Sequence, residues 1–570
     1  MLRFHTAYRE FMISNGLSAD KPTSIEQESA VGLRSLLCRP DWLLAVLVTL
    51  AAVWLHVVFL LHAGGFWRDE VNTINVASRH SLGEMANDSF PILMPLVVRG
   101  WLALGLGHSD ESLRCLGTLV GLSLLAAFWL SAWMGRRAAP LLSLALFGLN
   151  TTAIIYGDSL RPWGVGSSLV VVLLAAMCAF LRKPSWRRTA LLGAAAILSV
   201  QALFQNAIFV AAVCVGGWLV CWRRRAWPRM AKILLVALLA AASLVPYRSR
   251  IEPLAKSSPA SGVSTLRTEF RPAIAMANLN HTLGFPLDQY VWVWGILGGA
   301  VVVLAASRWR ADSAQVGVDH GDADVGLLAG TTLLTGLGGF AIFLWWAALR
   351  TQPWYFLPPM ALMAACLEVR MPVRRLYFYG VIVFGALTAL LALPFAWRGV
   401  HWRFTNVDLI AKQLTAQAAP EDYILVTPWN RGISFARYFN ANTPWDTIPP
   451  LEDHSTHRYD LLQRQTQTAG VMTPIVERMA ATLQVGHRVW VVGEIEPPAI
   501  HAAVPADLEP PPLEHTGWSA GPYVRQWTSQ AAQFLRNHSR EFEEVPISNP
   551  GTVNANETLE LWVAEKWENP

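Results

Sequence analysis

The sequence predicts a mainly α-helical, polytopic membrane protein with a mixed α/β domain at its C-terminal end. Three observations carry that prediction. Hydrophobic residues make up 53% of the 570 and charged residues 15%, with a mean hydropathy of +0.34, outside the range of soluble globular chains. Apolar runs of about 20 residues, long enough to cross a bilayer as helices, recur as far as Leu391. Beyond them the composition turns mixed, and short apolar runs alternate with polar ones.

Residues 1–40 are polar and carry Arg3, Arg9, Lys21, Arg34 and Arg39. The first apolar run, Trp42 to Leu61, is too long for the core of a cleavable signal and starts too late, so it reads as a signal anchor. About eleven candidate spans follow the hydropathy, centred near residues 52, 125, 148, 172, 197, 214, 240, 298, 336, 361 and 386. Between 189 and 221, Gln201, Gln205 and Asn206 interrupt one long run, which predicts two short helices joined by a polar turn.

Orientation follows from Lys and Arg in short connections. Arg136-Arg137, Arg182-Lys183 with Arg187-Arg188, Arg223-Arg224-Arg225, Arg308 with Arg310, and Arg370 with Arg374-Arg375 fall at every second connection. Those connections, with the N-terminus, are predicted to be cytoplasmic. An odd span number then places residues 399–570 outside. The chain divides into a cytoplasmic segment 1–40, a transmembrane unit 41–398 and an external domain 399–570. The net charge of +5 is largely this topological signal and is no argument for nucleic acid.

The first external segment, roughly 64–112, is longer than a turn. Ser81 to Ala86 reads as a short helix capped by Ser81, and Phe90 to Leu106, with Arg99, reads as a helix lying along the membrane surface. A second long external segment, about 248–288, contains a Ser/Pro/Gly stretch and could form a lid. Asp312 to Asp324 reads as a solvated acidic linker. In the C-terminal domain, Tyr423–Val426 and Val489–Val492 predict buried strands and Leu559–Val563 a half-buried one. Val407–Ala418, Thr473–Leu483 and Val524–Arg536 carry helical spacing. The domain contains no G-x-G-x-x-G, Walker or D-x-D nucleotide-sugar pattern. The six cysteines all precede residue 399 and none has metal-site spacing. An internal repeat, as in transporters built from inverted halves, is not evident.

The external connections hold a coherent polar set. Asp69-Glu70 follows the first span directly, where two adjacent carboxylates resist desolvation and repel each other. Arg114 opens the second span. Asp158 and Arg161 lie in Tyr156-Gly157-Asp158-Ser159-Leu160-Arg161-Pro162-Trp163, and Arg350 precedes Thr351-Gln352-Pro353-Trp354-Tyr355. A carboxylate can take an acceptor proton, and guanidinium groups can hold a phosphate bidentately.

This order of residues resembles the GT-C class of membrane glycosyltransferases, most closely the group of protein O-mannosyltransferases and the lipid A aminoarabinose transferase. The likeness rests on Asp69-Glu70 in the first external segment, Arg114 at the next span, Arg161 before an aromatic, and Arg350 ahead of Tyr355-Phe356-Leu357-Pro358. Trp163 stands where family members commonly have Tyr, Pro162 intervenes, and Gln205-Asn206 stands where many have His-Tyr. The resemblance implies a bacterial cytoplasmic (inner) membrane protein with its C-terminal domain external or periplasmic. It implies a polyprenyl-phosphate-linked sugar as donor and a hydroxyl of an envelope glycan, lipid or protein as acceptor. Asp69 would be the general base in an inverting attack, with Glu70 orienting the acceptor or shaping the site's charge. Arg161 and Arg350 would hold the leaving phosphate, and Tyr355 would touch substrate.

Blander readings stand beside these. Asp69 could pair with Arg68 or Arg79. Arg161 and Arg350 could hold lipid headgroups, and Arg114 fits a structural ion pair. Asp158 could pair with Arg161, touch the acceptor or help hold a divalent cation. No His spacing among His56, His80, His108 and His281 makes a metal site, and His56 reads as a helix-packing group. The competing functions are a transporter or flippase of a lipid-linked substrate, which calls for ionisable residues deep in the spans, and a membrane sensor.

Overall fold

The computed structural model describes residues 39–86, 88–107, 109–248, 270–311, 321–347, 351–370, 375–495, 503–511, 520–548 and 551–569. Residues 249–269 of the expected lid segment, about 248–288, most of the acidic linker and Arg350 lie outside the described residues; the rest of the lid segment contains the helix Pro272–Leu283. Among the described residues, eight helices are long and apolar enough to cross a membrane, and the protein is an integral membrane protein. They contain Pro40–His62, Asp110–Met134, Trp163–Arg182, Asn206–Arg223, Trp227–Tyr247, Tyr290–Ser307, Asp324–Ala347 and Phe378–Gly399.

The other three expected spans are shorter. The one near 148 is broken into Leu141–Ser143, a π-turn Leu144–Gly148 and a helix Thr151–Gly157 capped by Asn150. The one near 197 is a 17-residue helix, Trp186–Ala202, and the one near 361 has 14 residues, Leu357–Arg370. All three segments contribute to the apolar core shared with the long helices; those near 148 and 361 are buried almost throughout, whereas Trp186–Ala202 also exposes Trp186, Leu191 and Leu198. The polar turn expected between 189 and 221 falls at Leu203–Gln205. There Asn206 Nδ2 donates to the carbonyls of Gly166 and Ser199, at 3.1 Å each. Asp324, expected in a solvated linker, is buried and ion-paired with Arg224 within the helix Gly321–Ala347.

For the elements around the site we write α1 for Pro40–His62, α2 for Arg68–Ala77, α3 for Leu93–Ala103 and α4 for Asp110–Met134. Ser81 caps the short helix Leu82–Met85 by accepting from Glu84 N. Helix α3 is shorter than the run that suggested it, ending before Leu104. Between α1 and α2 the chain turns through Gly64, whose φ of +68° favours glycine. A Cβ there would meet the Arg403 guanidinium at 2.5 Å.

The C-terminal domain is a five-stranded sheet with order β2-β1-β3-β5-β4. Its strands are β1 Tyr423–Val426, β2 Trp445–Thr447, β3 Val489–Val492, β4 Ser539–Glu544 and β5 Leu561–Trp567. β2, β1 and β3 run parallel, and β5 and β4 pair antiparallel beyond them. Tyr423, Leu425, Val489 and Val491 face one helical layer, and Ile424, Val426, Trp490 and Val492 face the other. Burial on both faces explains why β1 and β3 are continuous apolar runs. β4 carries three glutamates, with exposed positions on an edge strand, and its alternation was too polar to predict a strand. The first layer includes Thr473–Gln484 and Gly521–His538, and the second includes Val407–Gln417.

One edge of this sheet faces α2. The loops after β1 and β2, at the carboxyl ends of the parallel strands, carry Arg431 and His457. Val492 pairs with Leu561, so the segment entering β5, with Glu557, lies at that same edge. Carboxyl ends of parallel strands are where open α/β sheets place their working residues.

Candidate active site

The site forms where α2 meets this sheet edge. Arg68, Asp69 and Glu70 occupy its first turn, where carboxylates gain from the helix N-terminal field. Asp69 and Glu70 point to different surroundings. Glu70 is fully buried. Its Oε1 accepts from Arg114 Nη1 at 2.7 Å and from Leu160 N at 3.0 Å. Arg114 also donates to the Gly65 carbonyl at 2.7 Å and lies over the Phe66 ring at 4.1 Å. Burial drives the Glu70 pKa up, against the opposing pull of Arg114.

The Asp69 side chain keeps 20% of its exposure. Oδ1 lies 3.0 Å from His457 Nε2, and the nearest Arg161 and Arg68 nitrogens are each 3.8 Å from the carboxylate. Burial works to raise its pKa. The Arg161 charge, the His457 hydrogen bond and the Arg68 charge overcome it and hold Asp69 well below the usual carboxylate range. Arg161 is pinned in turn. Its Nη1 donates to the Asp69 carbonyl and to Thr73 Oγ1, both at 3.1 Å, and its guanidinium covers the Phe90 ring at 4.4 Å.

The domain side supplies two further groups. Glu557, only 1% exposed, bridges Arg68 and Arg431. Asp69 thus faces the two guanidinium groups of Arg68 and Arg161, while Glu557 joins Arg68 to Arg431, which also feels the charge of Glu494. The loop bearing His457 is tied to α2 at successive turns. His457 N donates to Asn72 Oδ1 at 3.0 Å, Asn75 Nδ2 donates to the Ser455 carbonyl at 2.7 Å, and Arg79 donates to Thr456 Oγ1 at 3.1 Å. Beside this loop lies an open cleft of about 620 Å³, lined by Val71, Asn75, Ser78, Arg437, His454 and Ser455 among others.

Aromatic rings wall the remainder. Trp67 stacks on Phe404 at 5.0 Å, and Tyr156 and Trp354 pack against that pair. Tyr355 stacks on Trp163 at 5.2 Å, and Trp163 meets Phe90. Burial pushes the Tyr355 hydroxyl up to about 12, so it stays neutral.

Of the residues singled out from the sequence, Asp69, Glu70, Arg114 and Arg161 come together here, and Tyr355 joins through its aromatic neighbours. Asp158 does not pair with Arg161. It is buried beneath the site with Oδ1 2.6 Å from His56 Nδ1, and burial raises its pKa to about 6. No group of three His, Cys, Asp or Glu residues suited to a metal occurs among the described residues. His457, Arg431 and Glu557 escaped the sequence reading. The available signal was position for Arg431 and Glu557, which lie close to the buried strands β1 and β5, whereas His457 lies well beyond the partly buried β2.

No protein-family model matches the chain, and no curated protein matches its sequence. Among solved structures it is similar to ArnT from Cupriavidus metallidurans bound to undecaprenyl phosphate, with 15% identity and a TM-score of 0.43 over 78% of this chain and 92% of that one. It is also similar to the oligosaccharyltransferase AglB from Archaeoglobus fulgidus in complex with an inhibitory peptide and a dolichol-phosphate. There the identity is 11% and the TM-score 0.46, over 79% of this chain and 69% of that one. Likenesses this distant carry no weight for activity, which is read here from the residues themselves.

Proposed function

We propose that the protein is a membrane glycosyltransferase. It moves a sugar from a polyprenyl phosphate to a hydroxyl of a cell-envelope glycan, lipid or protein, at the outer face of the bacterial inner membrane. The two guanidinium groups of Arg68 and Arg161 beside the single Asp69 carboxylate, at the exit of α1, carry this reading. A sugar-bearing phosphodiester has one negative charge and gains a second as its bond to the sugar breaks. Arg161 and Arg68 can attract the first and stabilise the second. A phosphate leaving group then needs charge neutralisation rather than a proton donor.

Asp69 supplies the negative charge that draws the acceptor's proton, and attack from the face opposite the phosphate inverts the anomeric carbon. Glu70 acts through Arg114, fixing the turn at Gly64-Gly65 and so the direction of α2. Arg350, outside the described residues, keeps the phosphate-binding role implied by the resemblance, and no step calls for a metal.

Mass spectrometry of envelope glycans from cells with and without the chain identifies the sugar and its attachment point. With the purified protein, Asp69→Asn is expected to lower transfer from a labelled polyprenyl-phosphate sugar by about 10³-fold, within the usual range for loss of acid–base catalysis. Expression and membrane insertion should stay intact. Transfer at the wild-type rate by Asp69→Asn would remove Asp69 from the mechanism.

A further inference from the structure

We propose that the acceptor's proton is taken by His457 of the C-terminal domain, at Nδ1, while Asp69 holds and polarises the imidazole through Nε2. This rests on the transfer reading above and deepens it. An ionised carboxylate only accepts hydrogen bonds, so the 3.0 Å contact between Asp69 Oδ1 and His457 Nε2 places the ring hydrogen on Nε2. Nδ1 is then the nitrogen with the lone pair. It is shielded from solvent and has no hydrogen-bond partner among the described residues. Buried acceptors are ordinarily satisfied, and this one lies in a side chain only 10% exposed.

The ring is also held in a fixed pose. The His457 backbone is tied to Asn72, one turn along α2 from Asp69. Tyr459 lies nearly parallel to the imidazole at 5.8 Å, and Trp429 meets it edge-on at 6.2 Å. Beyond Asp69 and the neutral Tyr459, Arg68 and Arg161 face the same Asp69 carboxylate, Arg79 meets Thr456, and the adjacent Arg458 is paired with Asp453 and Asp460.

Asp69 itself is poorly suited to keep a proton, because the same two guanidinium groups favour its ionised form. They leave it able to stabilise an imidazolium beside it. The step balances as follows. The acceptor oxygen gives its proton to Nδ1 and forms a bond to the anomeric carbon. The bond from that carbon to the phosphate oxygen breaks, and its electron pair leaves with the phosphate, whose added charge Arg161 and Arg68 take up. After the product departs, the imidazolium returns its proton to water. His457 is then a catalytic residue, and Asp69 acts through it.

The test uses the full-length protein in lipid nanodiscs. The donors are a panel of undecaprenyl-phosphate-linked hexoses and pentoses labelled in the sugar, and the acceptor is a total envelope extract. His457→Gln keeps an N–H donor toward Asp69 but has no proton-accepting nitrogen. It should lower kcat by about 10²-fold or more, with KM for the donor within about threefold and thermal unfolding unchanged. His457→Ala opens space for free imidazole, which should restore part of its lost rate and none of that lost by His457→Gln. The wild-type acid limb of the pH profile should be absent from the residual activity of both variants. A His457→Gln kcat within about threefold of wild type overturns the assignment. So does a His457→Ala loss that imidazole does not relieve, with the acid limb retained. Absence of transfer by the wild-type protein from every donor overturns the transfer reading itself, and the role of His457 with it.

Discussion

The two walls of the site follow different charge arithmetic. Toward the helices, Glu70 meets Arg114 one to one in full burial, and the pair leans on backbone groups of Gly65 and Leu160. Toward the C-terminal domain, Glu557 is shared between two arginines, and Asp69 sits among Arg68, Arg161 and His457. The balanced wall is complete without a ligand and holds α2 in place. In the other wall two guanidinium groups face the single Asp69 carboxylate, a setting that suits the proposed phosphate. Adjacent carboxylates in a sequence can therefore divide the labour, one structural and one chemical.

That division can be broken by substitution. The largest effect on stability is expected from Glu70→Gln, which leaves the Arg114 charge buried and unpaired. Removing one partner of a buried pair costs about 3–5 kcal/mol, and thermal unfolding in detergent reads it. If Glu70→Gln instead keeps its stability and loses activity as completely as Asp69→Asn, the two walls are not distinct in kind.

A pH series sharpens the contrast. The Asp69 pKa in the folded protein lies below its unfolded value of about 3.9. Its contribution to stability is therefore fully present above that unfolded value and is lost as the pH falls through the folded one. Between pH 8 and 5 the Asp69 carboxylate should neither destabilise the protein nor limit its rate. Below about pH 4, Asp69→Asn should lose less stability than the wild type. An Asp69-dependent loss of stability already evident at pH 6 would contradict the cationic surroundings described for it.

The smallest effect belongs to Tyr355→Phe. The ring, stacked on Trp163, is what completes the aromatic wall, so the rate should fall by no more than about threefold. A loss of 10²-fold would move Tyr355 from the wall into the chemistry.

Much of the helix-side wall was legible in the sequence because charge is conspicuous in an apolar context. Asp69, Glu70, Arg114 and Arg161 stand at the ends of uncharged runs, where burial of an ion demands a partner. Strands β1 and β3 were legible to the residue for a similar reason, since burial on both faces leaves unbroken apolar runs. The domain-side wall was not legible. Arg431, His457 and Glu557 are three polar residues among many in a mixed domain, and only the strand order brings them to one edge. The eleven expected spans became eight long helices because hydropathy reports burial without naming what does the burying. Protein surrounds the broken segment near 148 and the helix near 361, and the helix near 197 has only 17 residues. The contact that Asp158 makes, with His56, was not among the alternatives open from the sequence because it comes from α1, 102 positions away.

The bridge from Glu557 back to Arg68 spans 489 positions, so nearly the whole chain must be made and folded before this centre is whole. Partly synthesised or truncated protein holds an anchored helical unit whose Arg68 lacks Glu557 and whose Asp69, when the chain stops before residue 457, lacks its imidazole. Under the proposed function, such a protein would hold the helix-side wall alone, without the groups that the C-terminal domain brings to Asp69 and Arg68.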